Sequence, residues 1–385
     1  MKFKLVERKQ DIISGNDDLE FVFSIKNLPA KMGVSSSKKE TDYFSDLNFF
    51  LSKGSGMIQI SPLIPLEILY EDGHGAGTTG KIWQEHHQMF CEFISDFKPL
   101  KILEIGGGHS NLSKLYLKSE PVIESWTIME PGNKKPGHIK DKRINFVNEF
   151  FDSSYPDKNE KIDCIVNSHL FEHLYNPLSF LNDVKKSLTT DGLVLMSVPN
   201  MDFMLKNKHA NTIMFEHTYF ASEDFIKYMF QKEGFTLEKK IKFKNHSVFY
   251  AFKKTNKTFK VSYPDKYHEN FLLITEYKNY LNKISSEISK TISEDNFDNF
   301  YLFGAHIFSQ ILLSLGVEEK KITCVLDNDP NKQGKRLYGT SLKVESPDFI
   351  ESDRNSLIIL NAGNYNEEIK RQLLKVNNKL QFLIN

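Results

Sequence analysis

Cysteine is scarce in this 385-residue chain: only Cys91, Cys164 and Cys324 occur, far apart and with no paired spacing. Neither a disulfide framework nor a thiolate zinc site is supported, and reduced, cytoplasmic residence is the expectation. Long apolar runs are missing too. The opening MKFKLVERKQ is charged and no stretch of about 18 apolar residues follows, which argues against a signal peptide or a spanning helix. An excess of either charge is absent as well: 50 Lys and Arg balance 50 Asp and Glu. Nothing global therefore points to nucleic acid or an anionic membrane, and a small-molecule partner is expected.

What is present is alternation. KILEI runs into GGGHSN and then into the helically spaced LSKLYLK, a strand, glycine-rich turn and helix. Further strand runs follow at SWTIME, INFVN, IDCIVNS and GLVLMSVPN, which predicts a mostly parallel sheet with ligands beyond its carboxyl ends. Ahead of it, Ile82, His86, Met89, Phe90 and Phe93 share one side of a helix expected from Thr78 to Asp96. NFYLFGA, IFSQILLSLGV, KITCVLDNDP and NSLIILNAG begin a second alternating unit. A bridging helix joins the two, with Leu273, Tyr277, Tyr280, Leu281 and Ile284 in one stripe. The expected division is a small module over 1–75, an α/β domain over 76–256, a linker helix over 257–296 and a second α/β domain over 297–385.

The loop LEIGGGHSN carries chemistry. Gly106, Gly107 and Gly108 allow backbone N–H groups to approach a ligand at a helix N-terminus. A dinucleotide fingerprint asks for glycine at position 111, where Asn111 stands. Glu104 instead completes E-x-G-x-G. With Glu130 ending the next strand run and HLFEH following a later one, the segment from about 75 to 255 resembles a class I S-adenosylmethionine-dependent methyltransferase. The resemblance implies a Rossmann-like fold and S-adenosyl-L-methionine as cofactor. Glu104 is expected to offset the cofactor's positive charge, Glu130 to accept both ribose hydroxyls, and Phe150 or Phe151 to lie against adenine, with Glu149 or Asp152 at its amino group. His169 is a further cofactor-side candidate.

VLDNDPNKQGKRLYGT, with Asp327, Asp329, Pro330, Lys332, Gln333, Gly334 and Gly339 in order, resembles the C-terminal domain of the sugar C-methyltransferase family. That family methylates deoxysugars carried on a nucleotide diphosphate. Its N-terminal module holds zinc through C-x-x-C pairs, whereas LSKGSGMIQIS keeps Gly56 and Gln59 and has Ser52 and Ser55 at the cysteine positions. Serine does not replace a thiolate, so no metal is expected there and hydrophobic contacts must hold the module. The resemblance implies that the C-terminal unit walls a sugar-nucleotide cleft; the alternative is a structural or homodimerisation role.

The tripeptide FEH occurs twice, in HLFEHLYNP and TIMFEHTYF. In the first, Glu172 and Pro177 are read as structural, while His173 aligns with a substrate-side histidine of the family. The second resembles the family's TIYHEHxSYF segment, whose tyrosine and second histidine are implicated in removing a proton beside a ketone. Glu216 and His217 match, but Met214 replaces the tyrosine and Phe215 the first histidine. A thioether transfers no proton, which favours a nitrogen or oxygen acceptor over carbon, with His217 as base. Tyr70, His74 and Tyr219 are substrate-contact candidates, with Thr78 beside them in a loop able to close over the cofactor.

The sequence thus predicts a cytoplasmic methyltransferase acting on an activated or modified sugar in bacterial surface-glycan biosynthesis, with no nucleic-acid or membrane partner. Methylation of another small metabolite, or a cofactor-binding scaffold without turnover, are the alternatives.

Overall fold

The computed structural model describes residues 4–71, 80–108, 110–119, 122–131, 141–257, 259–294 and 296–384. Four strands open it: β1 (Leu19–Pro29), β2 (Val34–Ser35), β3 (Phe44–Ser52) and β4 (Ile58–Ile60). β1, β3 and β4 pair antiparallel in a three-stranded sheet. Leu47, Phe49 and Leu51 alternate along β3 into an apolar cluster with Phe23 and Ile25 of β1, the period-2 pattern of a strand with one buried face.

Hydrogen bonds close the turn after β3. Ser52 Oγ accepts the Ser55 N–H at 3.0 Å, and Ser55 Oγ accepts the Met57 N–H at 3.0 Å. The Asp18 carboxylate receives the Gly54 N–H at 2.8 Å and the Ser52 hydroxyl at 3.3 Å. Hydrogen bonds therefore join the expected hydrophobic contacts in holding this module. Gly56 is required there, since a Cβ would lie 2.3 Å from the backbone of Lys266.

After α1 (Leu66–Leu69), α2 (Lys81–Ser95) leads into the central sheet. Its elements are β5 (Lys101–Ile105), α3 (Asn111–Ser119), β6 (Ser125–Met129), β7 (Ile144–Val147), α4 (Tyr155–Lys158), β8 (Ile162–Ser168), α5 (Pro177–Ser187) and β9 (Leu188–Pro199). There follow α6 (Met201–Lys206), α7 (Glu223–Lys232) and the hairpin β10 (Phe235–Phe243) and β11 (Ser247–Lys254). The strand order is β10-β11-β9-β8-β5-β6-β7. β9 to β7 run parallel, and β11 is antiparallel to both its neighbours.

Both faces of this sheet are covered, as a parallel sheet requires. Phe90 and Phe93 of α2 and Leu112 and Tyr116 of α3 pack against Ile102 on one side. On the other, Leu181 and Val184 of α5 and Phe225 and Met229 of α7 pack against Leu103. Each such side chain contributes about 1.5–3 kcal/mol by leaving water. Chain order reverses between β5 and β8, which opens a crevice at their carboxyl ends.

The 28-residue α8 (Tyr267–Glu294) buries Ile274, Tyr277, Leu281, Ile284, Ile288 and Ile292, a stripe of helical period. The last unit contains β12 (Asn299–Phe303), α9 (Ile307–Ser314), β13 (Cys324–Leu326), β14 (Arg336–Leu337), β15 (Val344–Glu345), β16 (Ser356–Leu360), α10 (Asn366–Val376) and β17 (Gln381–Ile384). Its five-stranded sheet has the order β15-β13-β12-β16-β17, with every pair parallel. The protein is thus α/β, with a Rossmann-like central sheet and a second C-terminal α/β unit. β14 pairs with β2, and Arg336 grips the Asp42 carboxylate with N–O distances of 2.5 and 2.7 Å. Among the described residues, no helix is long and apolar enough to cross a membrane.

Candidate active site

The glycine loop is shaped by what its residues lack. Gly106 has φ +77° and Gly108 φ +47°, left-handed values that suit glycine. A Cβ on Gly107 would stand 2.7 Å from both Glu104 Cδ and Ile128 Cγ2. The Gly106 N–H donates to the Met129 carbonyl at 2.9 Å and the Gly108 N–H to Glu130 Oε2 at 3.1 Å. A cradle without side chains, a helix start and a strand-end carboxylate are what the carboxylate and ribose diol of S-adenosylmethionine require.

Glu104 differs from its expected part. It is buried beneath the loop, and its Oε2 accepts the Trp126 indole N–H at 2.7 Å. Burial pushes its carboxyl up to about 8; Glu130 adds to this and the Trp126 hydrogen bond opposes it. The side chain therefore supports Gly107, and the countercharge assigned to it is present only once it ionises.

The structure separates the two phenylalanines. Phe151 packs against Tyr155 and Phe180, with ring centres 5.3 and 5.5 Å away. Phe150 is 43% exposed. Asp152 is taken up by the Ser154 N–H at 2.7 Å, while Glu149 is exposed.

The segment after β8 abuts this loop: a Cβ on Gly106 would meet Leu170 Cδ1 at 3.2 Å. Here the two FEH tripeptides meet. The Thr218 N–H donates to the Glu172 carbonyl at 3.0 Å and its hydroxyl to the Leu174 carbonyl at 2.6 Å. The His173 and His217 rings lie 5.3 Å apart, edge to face. His217 Nδ1 is 2.7 Å from the Thr212 carbonyl oxygen. A carbonyl only accepts, so Nδ1 carries a proton and donates it to Thr212.

His173 Nδ1 lies 2.9 Å from the Tyr70 hydroxyl, 3.7 Å from Glu216 Oε2, and its Nε2 lies 3.7 Å from Glu172 Oε1. Burial, then the nearby Glu216, raises the Tyr70 phenol well above its ordinary value, so it stays protonated. Tyr70, His173, Glu216 and His217 are therefore brought together. His74 and Thr78 lie outside the described residues. Tyr219 requires a correction: it is fully buried and its hydroxyl donates to the Phe171 carbonyl, so it braces the two segments and has no face left for a substrate. His169 has its Nε2 2.9 Å from Ser247 Oγ and its ring among Trp83, His86 and His246.

Several supports were not legible beforehand. The Arg8 guanidinium donates to the carbonyls of Thr218 at 2.6 Å and Tyr175 at 2.8 Å, joining both segments. Burial lowers its pKa to about 10. β4 adds the Ile60 N–H to Thr218 O at 3.1 Å and receives the Phe220 N–H at Ile58 O at 2.9 Å. From the C-terminal unit, His306 enters the electrostatic surroundings of Glu216. Burial lowers its pKa to about 4, with Lys332 assisting and Asp327 and Glu216 opposing. No spacing rule links these positions in the sequence.

Two family models match the chain. Residues 82–240 match a methyltransferase domain, and residues 235–384 a C-methyltransferase C-terminal domain. None of the curated proteins matches. Among solved structures, the N-methyltransferase NodS of Bradyrhizobium japonicum WM9 is similar at 13% identity, over 46% of this chain and 99% of its own, with a TM-score of 0.36. A putative S-adenosylmethionine-dependent methyltransferase from Listeria monocytogenes is similar at 10% identity, over 46% and 98%, with a TM-score of 0.37. An O-methyltransferase family protein from Burkholderia thailandensis is similar at 11% identity, over 46% and 57%, with a TM-score of 0.39.

Proposed function

We propose that this chain, an S-adenosylmethionine-dependent methyltransferase by its two matched domains, methylates an activated or modified sugar, at oxygen or nitrogen, with His217 as the base. The observation that carries this reading is the convergence of His217, His173, Glu216 and Tyr70 on a segment that touches the cofactor loop through Gly106 and Leu170. The resemblance of the C-terminal sequence to the sugar C-methyltransferases, in the region that matches a C-methyltransferase C-terminal domain, supports a sugar as the acceptor class. Cytoplasmic surface-glycan biosynthesis is the setting that fits such a substrate.

S-adenosylmethionine, when bound, supplies a methyl group on a sulfonium, an electrophile that needs an aligned nucleophile and little else. The loop 106–108 and Glu130 would hold the cofactor's carboxylate and diol, and Phe150 would lie against its adenine. The Thr212 carbonyl holds the Nδ1 proton of His217, and Nε2 would take the proton of an acceptor hydroxyl or ammonium. Tyr70 and His173, beside His217, would orient the acceptor.

One observation favours carbon as a second reading. Met214 and Phe215 are buried in the N-terminal cluster and transfer no protons, yet Tyr70 places a phenol on His173 from another part of the chain. Incubating a keto-sugar nucleotide in deuterated water separates the readings. Exchange of the hydrogen beside the ketone supports carbon, and its absence with a methylated heteroatom supports oxygen or nitrogen. The proposal itself is tested by a panel of sugar nucleotides with labelled cofactor: no methylated product from any of them would remove the sugar.

A further inference from the structure

Beyond the acceptor site, the same sheet edge carries a second histidine cluster for which methyl transfer has no use. His86 comes from α2, His169 follows β8, and His246 lies in the turn between β10 and β11. One ring nitrogen from each lies within 4.8 Å of the other two. We propose that His86, His169 and His246 bind one divalent transition-metal ion of the zinc class.

Geometry is the first support. The ring centres stand 5.5 Å apart for His86 and His169, 5.7 Å for His86 and His246, and 5.5 Å for His169 and His246. Three imidazoles bound tetrahedrally through nitrogens at about 2.0–2.1 Å place their ring centres roughly 5 Å apart. The cluster is nearly a preformed triangular ligand set.

Hydrogen bonding is the second. Ser197 Oγ is 2.8 Å from His86 Nε2, and Ser247 Oγ is 2.9 Å from His169 Nε2 and 2.5 Å from His246 Nδ1. Hydroxyl partners of this kind orient ring ligands and select their tautomers. His86 is fully buried, and its Nδ1 has no hydrogen-bond partner among the described residues. Packing alone leaves that nitrogen's cost unanswered.

The donor set chooses the ion. Three imidazole nitrogens suit zinc and its first-row neighbours, whereas calcium and magnesium require oxygen. A three-histidine set also leaves a fourth position open. Trp83 walls one side, its ring centre 4.7 to 5.1 Å from each histidine ring. An ion there would tie α2 to the exits of β8 and of the β10–β11 turn. The cluster adjoins the set of Glu172, His173 and His217, Glu172 Oε1 standing between them at 3.6 Å from His169 Nδ1 and 3.7 Å from His173 Nε2.

Untagged full-length protein, stripped with chelator and dialysed, provides the test. Titration with Co²⁺ is expected to give tetrahedral visible absorption saturating near one ion per chain, with Zn²⁺ displacing it. Co²⁺ is also expected to quench the fluorescence of Trp83, and a Trp83→Phe variant assigns that signal. His86→Ala and His246→Asn should each weaken binding at least tenfold, while His173→Ala leaves it unchanged. Circular dichroism checks that each variant folds; if His86→Ala does not, His246→Asn in its half-buried turn decides. No saturable absorption in the wild type, or wild-type binding in the folded histidine variants, would overturn the proposal.

Discussion

The Tyr70 hydroxyl lies 2.9 Å from His173 Nδ1, joining the end of α1 to the first of the two FEH segments. Tyr70→Phe removes only this oxygen. The expected result is a fall in kcat of roughly a hundredfold, the lower end for a group that assists proton transfer, with cofactor affinity unchanged by calorimetry. Unaltered turnover would place Tyr70 outside the reaction.

Glu130 accepts the Gly108 N–H at 3.1 Å and, in the proposed reading, would accept the cofactor's ribose hydroxyls. Hydrogen bonds to a charged group contribute about 1.5–3 kcal/mol, so Glu130→Ala should raise the cofactor Kd by about 10- to 100-fold. Because this contact is made before and during the reaction alike, the loss should appear in KM for the cofactor and far less in kcat.

Gly107 has no room for a methyl group: its Cβ would stand 2.7 Å from Glu104 Cδ and Ile128 Cγ2. Gly107→Ala is expected to destabilise the fold by about 1–3 kcal/mol through overpacking, measured by urea unfolding, and to weaken cofactor binding. Gly80→Ala, at a position where a Cβ meets nothing within 4 Å among the described residues, is the control that should cost little.

The buried Glu104 carboxyl gives a pH signature. Burial raises its folded-state pKa from 4.5 to about 8. A group raised in the folded state lends stability that is complete below the unfolded pKa and is lost as pH rises through the folded one. Ligand-free protein should therefore lose stability between about pH 4.5 and 8 through this residue. Glu104→Gln keeps an oxygen for the Trp126 N–H but cannot ionise, so the difference between variant and wild-type melting temperatures should grow across that window. A constant difference would mean that Glu104 titrates normally.

Much of the fold was readable because it rests on local rules. KILEI followed by GGGHSN announces a strand and a left-handed turn, and the stripe of Tyr277, Leu281 and Ile284 announces a helix, since neither depends on distant partners. The active site was readable only in pieces. His217, Glu216 and His173 carry a family pattern, but the hydroxyl of Tyr219 is spent on a carbonyl 48 residues away in sequence, which no pattern discloses. The same holds for Arg8, which reaches Thr218 across 210 residues, and for the histidines at 86, 169 and 246. Their proximity follows from the order of strands in the sheet. Met214 reads from sequence as a lost phenol, and only the folded chain shows Tyr70 beside the neighbouring histidine.

The central claim is methyl transfer to a sugar with His217 as base. Its most direct measurement is turnover of labelled S-adenosylmethionine with a panel of sugar nucleotides, by wild type and by His217→Ala in parallel, with cofactor binding measured on both. The account predicts a methylated sugar from the wild type and a loss of about 10²- to 10⁴-fold in the variant, with cofactor affinity retained. A His217→Ala enzyme that turns over at the wild-type rate, or a wild type that binds cofactor yet methylates no sugar, would contradict it.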